Sequence, residues 1–119
     1  MSTANTLNQS LPVTSALLKS QQLLDLLEQL ILLLKHRGYW QDEAPSQEKL
    51  ASVQPFAIDT LTFPQWLQFI FLVRFKQMLK QPSMLPSTLC IAPMAAQVLP
   101  NEVAIFKLLS KIDLLVRII

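Results

Sequence analysis

His36 is the single imidazole of the chain and Cys90 the single thiol. A histidine base needs a nucleophile to deprotonate and a carboxylate to orient it. His36 instead closes the run Lys35-His36-Arg37 ahead of Gly38. Positive charge there suits the negative end of a helix dipole, so His36 reads as a helix-end cation. Cys90 stands between Leu89 and Ile91. A reactive thiolate needs an electropositive, accessible setting, so Cys90 reads as a buried small hydrophobe. One Cys and one His cannot build a Cys/His zinc site or a disulfide framework. The single glycine, Gly38, excludes phosphate loops and dinucleotide fingerprints.

The carboxylates are Asp25, Glu28, Asp42, Glu43, Glu48, Asp59, Glu102 and Asp113. None stands three residues before a histidine, the spacing of di-metal bundles. Asp42 and Glu43 fall in a polar turn and read as solvated. The sequence calls for no metal, no cofactor and no catalytic residue. One polar pair stands out, Asp59 with Arg74. Arg74 is surrounded at helical spacing by Ile70, Phe71, Val73, Phe75 and Met78. An arginine on such a surface needs a carboxylate or carbonyl partner. Asp59 lies just ahead of that helix and is expected to fold back as an ion pair pinning residues 54–61. The alternative is a ligand or partner contact that uses both groups. Trp66 and the nearby Phe residues have the types for base stacking, but their helical spacing reads as core.

These residues must be carried by helices. Leu23, Leu27, Leu30 and Leu34 recur at i, i+4, i+7 and i+11, which predicts a helix over about 14–37 ended by Gly38. Leu24, Leu26, Ile31 and Leu33 widen its apolar stripe to most of the circumference, leaving only Gln21, Asp25, Glu28 and Gln29 clearly wet. Ser46 can cap a short turn through Ala51. Thr62 with Gln65 is a capping box, and Pro64 suits the first turn, so a second long helix runs from there to about Lys80. Pro82 and Pro86 mark a buried extended connector, 81–92, with a short helix near Pro93. Asn101 is expected to cap a last helix carrying Ile105, Leu108, Leu109, Ile112, Leu115 and Val116 inward, with Lys107, Ser110, Lys111 and Asp113 as its polar side. Residues 1–13 read as a flexible polar tail and 14–119 as one domain. Three long helices, one or two short ones and no pairable strands make an all-α bundle.

The chain has 119 residues, 51% hydrophobic and 15% charged. A domain this small cannot hide that much apolar surface, so an exposed contact face is expected. Residues 1–59 carry four Lys/Arg against six Asp/Glu, and residues 60–119 six against two. Direct nucleic-acid binding through Arg74, Lys76, Lys80, Lys107, Lys111 and Arg117 is the less favoured reading, because a dedicated binder shows a denser basic stripe. The richest apolar run, Leu23 to Leu34, is too short and too charged to span a membrane. Without a signal-peptide pattern at its start, the chain reads as cytoplasmic.

Gln54-Pro55-Phe56-Ala57-Ile58-Asp59-Thr60-Leu61, then Trp66-Leu67-Gln68, then Arg74, resemble the YqcC-like family of small uncharacterised bacterial proteins. Trp40, Leu85-Pro86, Ala92-Pro93-Met94 and Asp113 continue the match in order, over roughly residues 17–116. Phe69 stands where members often have a second Trp, and Val73 where they often have Pro. With no ring at 73, the second helix is expected to be straighter. The resemblance implies a helical bundle and no established activity. It also implies association with a TruC-type tRNA pseudouridine synthase, whose gene often lies beside that of a member. The chain is not expected to be that enzyme, because such enzymes are larger α/β proteins with a catalytic Asp on a mixed sheet. The expected role is a non-enzymatic interaction protein that self-associates or docks on the synthase.

Overall fold

The computed structural model describes residues 11–118. It is helical, with no strand among those residues. The long first helix, α1, is Leu11–His36. It starts before the expected Thr14, so residues 11–13 are helical, and residues 1–10 of the expected tail lie outside the described residues. A short turn, α2 (Gln47–Leu50), is capped by Ser46, whose hydroxyl accepts the Lys49 N–H. The second long run is α3 (Phe63–Trp66), a π-helical turn over Leu67–Phe71 and α4 (Leu72–Leu79). Two short helices and the last long one complete the fold expected from the pattern: α2, α5 (Ala92–Val98) and α6 (Val103–Arg117). Among the described residues, no helix is long and apolar enough to cross a membrane.

The core forms where α1 packs on α6 and α4, and α5 on α6. Leu23, Leu27, Leu30 and Leu34 are at most 1% exposed and meet Leu67, Phe71, Phe75, Ile105, Leu109 and Ile112. Each such side chain contributes roughly 1.5–3 kcal/mol by leaving water. Gly38 ends α1 at φ +82°, with its own N–H on the Lys35 carbonyl and the Tyr39 N–H on that of Leu34. These two bonds satisfy two of the orphan carbonyls in the last turn of the helix. Lys19 does the same for α6, its Nζ donating to the Val116 and Ile118 carbonyls.

The second run is not a regular α-helix throughout. The Leu72 N–H reaches the Leu67 carbonyl, five residues back. Its buried side chains fall in two rows, Phe63-Leu67-Phe71-Phe75 and Pro64-Gln68-Leu72. At 3.6 residues per turn, a row of every fourth residue drifts about 40° per step around the helix. The wider turn removes part of that drift and keeps both rows on the core.

Candidate functional site

Three arrangements can do more than fill space. The first is the motif segment itself. Phe56 and Ala57 sit in the left-handed region at φ 57° and 47°. Such backbone persists only where the surroundings over-determine it. Here the Phe56 ring meets Trp66 edge-on, with centroids 4.8 Å apart, and Ala57 is buried. The Ala57 N–H donates to the Gln54 carbonyl, and the Ala57 carbonyl accepts from Thr60 and Leu61. Trp66 continues into a ladder of rings through Phe71 to Phe75. It is half-buried and packs against the core, as its spacing suggested. Between the segment and α5 lies an apolar cleft of about 290 Å³, lined by Phe56, Ile58, Leu61, Phe63, Met94 and Val98.

The expected Asp59–Arg74 ion pair does not form. Asp59 accepts the Ser52 hydroxyl, and Thr60 donates to the Lys49 carbonyl, so this end of the motif holds α2. Arg74 is exposed and makes no ion pair among the described residues. The reason is distance along the helix. Arg74 stands eleven residues beyond Phe63, about 16 Å up the axis from the end that Asp59 precedes. The two groups therefore do not meet each other. Gln54, Pro55 and Pro93 are exposed, and Pro86 is half-buried. Gln68 is buried in the π-helical turn. Its amide brackets one residue of the 39–45 loop, accepting the Gln41 N–H at 2.9 Å and donating to the Gln41 carbonyl at 2.7 Å.

The second arrangement was missed by the sequence reading. Tyr39 donates to Glu102 Oε2 at 2.6 Å, and Arg37 Nε lies 2.9 Å from Oε1. The hydrogen bond from Tyr39 is the main cause that holds the Glu102 carboxyl below its ordinary range, and it raises the Tyr39 phenol. Glu102, not Asn101, is the N-cap of α6, and its side chain makes no cap bond. Its carboxylate is already taken by the turn after α1. Asp113 is likewise not on the polar side of α6. It is 4% exposed, and its Oδ2 accepts the Ile91 and Ala92 N–H groups at the start of α5. The connector expected to be extended and buried instead holds a 3-10 turn at Pro82–Met84 and is largely exposed, Cys90 included. The neighbouring Ile91 takes the core position instead.

The third arrangement is a groove between the antiparallel α1 and α6. Two adjoining hollows of about 510 and 410 Å³ share Lys111. Leu33 and Leu108 line one, Leu26 and Leu115 the other. On the rims Leu32 is 66% and Leu114 55% exposed. This is the uncovered strip that the girth of apolar residues on α1 predicted. His36 and Lys107 stand in one hollow, Asp25 in the other, and Lys111 where the two meet.

The family model of DUF446, described as tRNA pseudouridine synthase C, matches residues 21–115. Protein YqcC of Escherichia coli is 30% identical over 93 residues, which are 75% of this chain and 85% of that protein. The chain belongs to the YqcC-like family. An uncharacterised protein of Haemophilus influenzae is 37% identical over 67 residues, 56% of this chain and 63% of that protein. The solution NMR structure of Escherichia coli YqcC superposes with a TM-score of 0.74 at 27% identity, covering 83% of this chain and 88% of that one. The helical bundle is therefore the fold of the family. A tRNA pseudouridine synthase C of Pectobacterium carotovorum is 36% identical over 53 residues, 44% of this chain and 14% of that protein.

Proposed function

We propose that this chain is a non-enzymatic accessory protein of the cytoplasm that docks on a tRNA pseudouridine synthase. The observation that carries the reading is the open apolar groove between α1 and α6, rimmed by Leu32 and Leu114. Contiguous apolar surface of this kind marks a contact site. The choice of partner is supported by the 53-residue stretch that this chain shares with a protein named tRNA pseudouridine synthase C. Segments joined in one chain meet at high effective concentration, and separate chains that work together reach the same state by binding.

The test is a tagged pull-down from cell extract, with and without RNase, read by mass spectrometry. The synthase is expected in both samples. Its loss on RNase treatment would favour the RNA-binding reading through the basic C-terminal half. Its absence from both would defeat the accessory role.

A further inference from the structure

We infer that the α1–α6 groove receives a single amphipathic helix of the partner, with carboxylates flanking its apolar stripe. The inference rests on the docking role proposed above and specifies the chemistry of what docks. Length sets the first condition. Along α1 the lining runs from Gln22 to His36, a rise of ~21 Å or about four helical turns. Shape sets the second. Two antiparallel helices leave a straight valley, and a third helix fills it with anchors at i, i+3, i+4 and i+7.

Charge selects among occupants of that shape. Lys107 and Lys111 are one turn apart on α6, both exposed, and neither makes an ion pair among the described residues. Like charges at i, i+4 repel, so a carboxylate placed between them relieves a standing repulsion. His36 faces the Lys107 hollow from α1, and the one acid of the lining, Asp25, stands in the other hollow beyond Lys111. A second copy of this chain fits less well. Lys111 lies where the two hollows meet, so a twofold axis centred on the groove would set it against its own symmetry mate. A single nucleic-acid strand fits less well too, because it needs aromatic platforms and the lining carries no Phe, Tyr or Trp.

The test uses two fluorescein-labelled helical peptides with the same leucine stripe, one flanked by Glu and the other by Lys. Each is titrated into the full chain by fluorescence anisotropy at low and high salt. The Glu peptide is expected to bind at least about tenfold tighter than the Lys peptide, with a gap that narrows in salt. The double variant Lys107→Glu, Lys111→Glu should reverse the preference, and Leu32→Glu should weaken both. Circular dichroism of each variant confirms that it is folded. Equal binding of the two peptides, binding of neither, or a preference that survives the double charge reversal overturns the inference. So does a dimer in light scattering that Leu114→Glu dissociates, which would put a second copy in the groove. A double variant that still retrieves the synthase breaks the groove assignment and leaves the accessory role standing. Wild-type protein that binds the Glu peptide but no synthase does the reverse.

Discussion

The carboxylate of Asp113 serves two backbone N–H groups through Oδ2, while Oδ1 is buried with no hydrogen-bond partner among the described residues. Asp113→Ala strands both donors and should cost about 1–3 kcal/mol in urea unfolding. Asp113→Asn keeps an oxygen for them and should cost less. Burial is the main cause that raises this carboxyl above its ordinary 3.8, against the opposing pull of the Ala92 and Ile91 N–H groups and of Arg117. A raised value in the folded state means protonation favours folding. The contribution is complete below the unfolded value and is lost as pH rises through the folded one. Wild type should therefore gain on Asp113→Asn between about pH 7 and about pH 3, and a gap independent of pH would refute the burial argument. Glu102 behaves oppositely. Tyr39 holds its pKa below 4.5, so its contribution is present above that value and fades as pH falls through the folded one. In Tyr39→Phe the Glu102 carboxyl should titrate nearer its ordinary value, read directly by NMR.

At the scale of elements, two single residues decide where helices begin and end. Thr62 accepts the Gln65 N–H and donates its own to Gln65 Oε1, the reciprocal box read from their spacing. Thr62→Ala should cost about 1 kcal/mol and Thr62→Gly less, measured by chemical denaturation. Gly38 ends α1 at φ +82°, and a Cβ there would meet nothing within 4 Å. Gly38→Ala therefore tests backbone conformation alone. A loss of about 1–2 kcal/mol is expected, and a neutral result would mean that the turn relaxes without cost. The π-helical turn shows a limit of periodicity. The sequence reading took the second run as a regular helix, and the wider turn emerged only with the Leu72 N–H on the Leu67 carbonyl.

At the scale of the whole molecule, the same α1 carries fully covered leucines, Leu27 among them, and the widely exposed Leu32. Leu27→Ala should cost about 2–5 kcal/mol, because the cavity it leaves lies among packed helices. Leu32→Glu and Leu114→Glu, on the open rims, should leave stability within about 0.5 kcal/mol and abolish recovery of the partner. A large fall in melting temperature for the rim variants would show that the strip is covered by the chain itself.

The sequence by itself determined the helices, their caps at Thr62 and Gly38, and the surplus of apolar surface, because these follow from spacing and from chemistry within one or two turns. It also carried the family, whose motif is a run of neighbouring residue types. Only the tertiary structure decided which polar groups meet. Asp59 turned to Ser52 rather than Arg74, Glu102 met Tyr39 and Arg37 across more than sixty residues, and Asp113 crossed to the start of α5. Partners distant in the chain have no fixed offset to read. A polar side chain takes the nearest donor or acceptor that helix packing brings to it, and that packing is set by the apolar rows on the opposite faces.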